Sequence, residues 1–183
     1  MRDVLAAPAD RIAEVVNGML HLSPRPGGPH SAASSARGEE LGPPFKRGRG
    51  GPGGWVIIDE PELHLADHIL VPDLAGWRRE RLPRLGRDAY TTVIPDWICE
   101  ILSPRTARLD RTEKKPIYAE LGVRHLWLVD PEALALETYQ LADGRWLEMG
   151  AHAKDDKVRA VPFDAIELDL AVLWADVEPP PDD

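Results

Sequence analysis

The chain has 183 residues, 43% hydrophobic and 29% charged, with a net charge of −9. That balance excludes a disordered polymer and favours one folded domain over residues 1–177. No apolar stretch approaches the roughly 20 residues that span a bilayer, so no membrane segment is expected. The early acids of MRDVLAAPADRIAEVV do not read as a signal peptide, and the single cysteine, Cys99, permits no intrachain disulfide. Together these lead to the expectation of a cytoplasmic protein.

In chain order, residues 11–19 (RIAEVVNGM) read as a short helix, with Asp10 as N-cap and Gly18 as C-cap. Residues 19–23 read as a strand, PRPGGP as an irregular stretch, and residues 30–41 as a helix. GPPFKRGRGGPGG, residues 42–54, reads as a flexible basic loop. Strands follow at 55–58, 69–77 and 97–103, then a helix over 110–121 in which Pro116 is awkward, because proline removes an amide. Strands at 124–130 and 133–141 precede an Asp143-Gly144 turn into a strand at 145–149. The proline-rich acidic residues 178–183 are expected to be a disordered tail. This order predicts an α/β protein: a central mixed β-sheet flanked by helices.

The charge is uneven. Residues 73–124 hold 11 of the 22 basic residues but only 8 of the 31 acidic ones, although a solvated surface explains such a segment equally well. Within it, Glu100 interrupts the apolar run Trp97-Ile98-Cys99-Glu100-Ile101-Leu102. Alternation puts Ile98, Glu100 and Leu102 on one face of a strand and Trp97, Cys99 and Ile101 on the other. A carboxylate carried inward needs a partner. Asp73, in ILVPDLAGW, is a second acid in an apolar setting. If the two strands are neighbours the acids converge, and a divalent cation such as Mg²⁺ relieves their repulsion. Helical spacing places Lys114 with Ile117, Tyr118 and Leu121 on one stripe, so Lys114 faces inward and Lys115 outward.

Plainer readings stand beside these. Asp73 would cap a turn after Pro72. Glu100 would pair with Arg105, Arg111 or Lys114 as a structural salt bridge. Lys114 would lie on the surface with its stem packed down. Asp110 reads as a helix N-cap, Asp130 as a turn residue, Cys99 as core, and His30 as a surface residue. Asp96 shares a face with Glu100 and is a reserve ligand.

VPDL at 71–74, CEILSPRT at 99–106, Asp110, Lys114, Tyr118-Ala119, Gly122-Val123 and WLVDP at 127–131 together closely resemble the Uma-family proteins. These are nucleases of the restriction-endonuclease-like PD-(D/E)xK superfamily, and the likeness runs from about Glu14 through Trp146. The resemblance implies that Asp73 is the aspartate of the PD motif and Glu100 the acid of (D/E)xK. The xK position is occupied by Leu102, a departure from the superfamily pattern; Lys114 matches the position from which the resembled family supplies its lysine. Glu14, read as helical, and His30 fall at positions resembling family features.

The resemblance implies a metal-dependent DNA endonuclease leaving 5′-phosphate and 3′-hydroxyl ends. Asp73, Glu100 and the main-chain carbonyl of Ile101 would hold Mg²⁺ or Mn²⁺, and Lys114 would orient the attacking water. Arg78, Arg79, Arg81, Arg84 and Arg87 would face DNA phosphates, with Lys46, Arg47 and Arg49 as a second arm. Related nucleases pair to cut both strands, so a homodimer is expected. The alternatives are a catalytically inactive nuclease-fold module that binds DNA or protein, which the overall acidity favours, and a hydrolase of small phosphoesters.

Overall fold

The computed structural model describes residues 8, 10–24 and 28–177; the tail at 178–183 lies outside them. The chain opens with β1 (Arg11–Val16) and β2 (Met19–Pro24), which pair antiparallel from Arg11–Pro24 to Val16–Met19. This corrects the helix expected over residues 11–19. Asn17 and Gly18 both adopt positive φ, 51° and 75°. That conformation is the two-residue hairpin turn that Asn-Gly favours, and it overrides the apparent helical spacing of Ile12, Val15 and Val16.

Next come α1 (Gly28–Leu41) and a π-helical turn, Gly42–Lys46, where a wholly irregular loop was expected. Phe45, on that turn, is buried against Phe163. β3 (Trp55–Asp59) follows, then β4 (Glu62–Leu65) and β5 (His68–Leu70). The strand expected over 69–77 is two strands in two sheets. β5 pairs with β1 and β4, whereas β6 (Leu74–Arg78) pairs with β3 and with β8 (Trp97–Ile101). Val71-Pro72-Asp73 is the crossing between them, at a proline that offers no amide to a ladder.

β7 (Tyr90–Thr91) adds a parallel strand to β4. After β8 the chain forms one helical run: α2 (Ala107–Leu109), a π-helical turn (Asp110–Lys114) and α3 (Lys115–Glu120). Pro116 lies in the first turn of α3, where its missing amide costs little. β9 (His125–Asp130) runs parallel to β8; β10 (Ala135–Ala142) and β11 (Arg145–Ala153) complete a meander. β12 (Lys157–Val158) and β13 (Leu168–Asp169) pair, and α4 (Ala171–Trp174) follows.

The main sheet has six strands in the order β11-β10-β9-β8-β6-β3, and a five-stranded sheet has the order β2-β1-β5-β4-β7. Alternation along the central strands divides the core. Trp97, Cys99 and Ile101 face one side with Trp55, Trp127, Phe163 and Ala33 of α1. Ile98 and Leu102 face the other with Val16, Leu63, Leu70, Ile117 and Tyr118. Glu100 therefore enters the gap between the main sheet, the smaller sheet and α3. The result is a mixed-sheet α/β protein of the restriction-endonuclease-like kind. No helix among the described residues is long and apolar enough to cross a membrane.

Candidate active site

A cleft of about 390 Å³ opens where the two sheets meet, and Glu14, His30, Asp73, Glu100, Arg105, Asp110 and Lys114 all line it. Five parts of the chain deliver all of them but Arg105. β1 brings Glu14, so this residue arrives on a strand and not on the helix expected. α1 brings His30, the sheet crossing brings Asp73, β8 brings Glu100, and the π-helical turn brings Asp110 and Lys114.

Leu74, the first residue of β6, pairs with Cys99, so Asp73 and Glu100 are the next residues along the chain from that pair. Asp73 Oδ2 accepts the Ile101 N–H at 2.6 Å, and Asp73 Oδ1 lies 2.9 Å from His30 Nε2. His30 is thus drawn into the cleft, where a surface position was also open. Burial works against its protonated form, but the bond and charge of Asp73 outweigh burial and raise its pKa.

Lys114 is the hub. Its Nζ lies 2.8 Å from Glu100 Oε1, 3.0 Å from Glu14 Oε1 and 3.4 Å from Asp110 Oδ1. All four residues are at most 4% exposed. Glu14 Oε1 also accepts the Val71 N–H at 2.8 Å, tying β1 to the sheet crossing. The Tyr118 hydroxyl donates to Glu100 Oε1 at 2.5 Å. Burial pushes the Glu100 carboxyl well above its usual range; Lys114 opposes that, while Asp110, Asp73 and Glu14 add to it. Burial alone would lower Lys114, but Glu100 and Glu14, with smaller contributions from Tyr118 and Asp110, raise it well above the usual lysine value. Asp110 is raised chiefly by burial, and Tyr118 is raised well above its ordinary value by burial and by Glu100. Asp110 thus belongs to this cluster as well as to the start of a helical turn.

Four acids, Glu14, Asp73, Glu100 and Asp110, line the cleft with Lys114, Arg105 and His30. Among the described residues no group of three or more His, Cys, Asp or Glu side chains is arranged to hold a metal ion. The donor set nevertheless suits a divalent cation that keeps most of its waters. Such an ion needs only one or two carboxylates, and Asp73 and Glu100 offer two in one cleft.

Other expectations need correction. Asp96 is buried at the opposite end of β8, bonded to the Arg78 N–H at 2.8 Å and to Arg81 at 2.6 Å; it joins β6 to β8 and does not line the cleft. Arg78, Arg79 and Arg81 are not a free phosphate-facing row. Arg78 lies over the Trp55 ring at 4.2 Å, Arg79 donates to the Trp55 carbonyl at 3.0 Å, and Arg81 pairs with Asp96. They lie at the end of β6 remote from Asp73, and Arg84 and Arg87 are exposed in the following loop. Lys115 is half-buried over the Tyr139 ring, 3.3 Å from its centroid, not turned into open solvent.

A second cleft, about 480 Å³, shares His30 with the first and is lined by Ser31, Ser34, Ser35, Lys46 and Arg47, with Glu39, Asp59 and Glu60. Arg49 is exposed beside it in sequence but lines neither cleft. Arg105, at the cleft mouth, is the basic residue that attention to charge runs passed over as a possible phosphate contact.

No curated protein matches the chain. Among solved structures it is similar to a protein from Anabaena variabilis described as a putative nuclease belonging to DUF820. Identity is 24%, coverage 95% of this chain and 96% of that one, and the TM-score 0.74, a likeness of fold. The family model described as "Uma2: Putative restriction endonuclease" matches residues 2–172. With that match running through every element that lines the cleft, the chain belongs to the Uma2 family.

Proposed function

We propose that the cleft between the two sheets hydrolyses phosphodiester bonds of DNA with the help of Mg²⁺ or Mn²⁺, as an endonuclease leaving 5′-phosphate and 3′-hydroxyl ends. One observation carries this reading: Asp73, where the chain crosses into β6, and Glu100 of β8 line one cleft, with Lys114 bonded to Glu100. Asp73, Glu100 and the Ile101 carbonyl would hold the cation. When bound, the cation would polarise the scissile phosphate and favour the attacking water.

The chain's own residues do the rest. The Ile101 amide and His30 orient Asp73. Glu14 and Glu100 hold the Lys114 ammonium at the cleft wall. An ammonium has three protons, and here three carboxylates take them. Its bond to Asp110, at 3.4 Å, exceeds the usual range, so it is the one that a water or phosphate oxygen would replace. Lys114 would thereby orient the nucleophile while its other two bonds stay in place. Arg105, exposed at the mouth, would meet the diester, and Lys46 and Arg47 would take a neighbouring phosphate across His30. Two copies would together cut both strands.

Plasmid DNA incubated with Mg²⁺ or Mn²⁺ tests this reading. The parent should nick or linearise it and Glu100→Ala should not; equal cutting by both would assign the activity elsewhere. Hydrolysis of a nucleotide analogue without polynucleotide cleavage would favour a small-phosphoester hydrolase.

A further inference from the structure

Tyr118 is fully buried on α3, one turn after Lys114, in the apolar cluster that also holds Leu63, Ile98, Ile117 and Leu126. Those neighbours are apolar and would accept a phenylalanine ring equally well. What phenylalanine lacks is the hydroxyl, and that hydroxyl has one destination: Glu100 Oε1, at 2.5 Å. Lys114 reaches the same oxygen at 2.8 Å. Among the described residues no side-chain hydrogen bond is seen on the other oxygen, Oε2. Two donors from successive positions of one helix face therefore converge on a single carboxylate oxygen.

We infer that Tyr118 is a positioning residue: with Lys114 it pins Oε1 and presents Oε2 of Glu100 as the one oxygen offered to a divalent cation in the cleft. This rests on the metal-dependent reading proposed above. The physical reason is rotational. A glutamate carboxylate held at one oxygen by one flexible ammonium can still turn about its last torsion. A second donor, carried by a ring locked in the core, approaches from another direction and fixes the plane. Partners that orient a ligand in this way matter for affinity, and losing one costs about 10- to 100-fold in metal binding. A phenol that merely satisfied its own burial would leave affinity for the ion untouched.

Calorimetric titration of the full chain with Mn²⁺ tests the inference, comparing the parent, Tyr118→Phe and Glu100→Gln well below their melting temperatures. The expected result is binding by the parent, its loss in Glu100→Gln, and about 10- to 100-fold weaker binding in Tyr118→Phe. Unchanged affinity in Tyr118→Phe would overturn the positioning role and leave the metal-dependent reading standing. A parent that binds no Mn²⁺, or binds it equally well as Glu100→Gln, would overturn both. Should Tyr118→Phe fail to fold, a Mn²⁺-soaked crystal of the parent decides the matter. Glu100 should bind through one oxygen while Tyr118 still holds the other; two-oxygen binding, or a broken Tyr118 contact, would overturn the inference.

Discussion

Asp73 Oδ2 accepts the main-chain N–H of Ile101 at 2.6 Å, one residue beyond Glu100. A side chain at a sheet crossing is thereby locked to the backbone of the strand that carries the second acid. Two carboxylates 27 positions apart meet without any flexible link between them.

Lys114 should matter for stability before it matters for chemistry. Its removal leaves Glu14, Glu100 and Asp110 buried without their shared cation. Breaking one side of a buried ion cluster costs about 3–5 kcal/mol, so Lys114→Met should unfold in markedly less denaturant. Adding Glu14→Gln should restore part of the loss, because the two residues share one interaction. Strict additivity in the double variant would argue against the cluster.

His125 supplies a pH dependence unconnected with the cleft. Burial, then the charges of Arg78 and Arg124, lower its pKa from 6.5 to about 4, and among the described residues Nδ1 has no hydrogen-bond partner. The unfolded chain takes up this proton at higher pH than the folded one does. The contribution is therefore complete above pH 6.5 and lost as pH falls toward 4. Melting curves of the parent should decline more steeply over that window than those of His125→Gln, and the imidazole should titrate near 4 by NMR. A midpoint near 6.5 would contradict the assignment.

Gly76 is a packing constraint on β6, one strand in from the edge of the main sheet. A Cβ there would lie 3.0 Å from Trp97 Cε3 and 3.3 Å from Trp55 Cε3, and both indoles are buried. Phe163 packs against both, tilted on Trp55 and edge-on to Trp97. Gly76→Ala should cost about 1–3 kcal/mol, seen as a lower midpoint of chemical denaturation. A neutral result would mean that the two indoles move freely.

Salt dependence separates the two basic regions. Lys46→Ala and Arg47→Ala should each lower the slope of log affinity against log salt for DNA by about 1. Arg81→Ala should leave that slope unchanged but destabilise the fold, because it strips the buried Asp96 of its 2.6 Å partner. The reverse pattern would restore the phosphate-facing row first expected of Arg78 to Arg87.

The parts legible in the sequence were those governed by short periods. Period 2 along Trp97–Ile101 placed Glu100 opposite Cys99, and period 3.6 put Lys114 on the face of Ile117 and Tyr118. Glu14 was misplaced because RIAEVV satisfies both periods; the Asn17-Gly18 turn, with its positive φ at both residues, was the signal that decides for a hairpin. The change of sheet at Val71-Pro72-Asp73 was hidden because both flanking strands are apolar and the ladder partners are remote in sequence. The two-residue strands β12 and β13 leave no pattern to read. Charge density found basic residues but not their partners, and so Asp96, a remote anchor for Arg81, passed for a reserve ligand.

The shared cation is the centre of the account, and Mn²⁺ binding followed by electron paramagnetic resonance tests it most directly. The parent should bind Mn²⁺ in the cleft, and Asp73→Asn and Glu100→Gln should each lose most of that binding while remaining folded. Binding that survives both substitutions, or a folded parent that takes up no Mn²⁺, would contradict it.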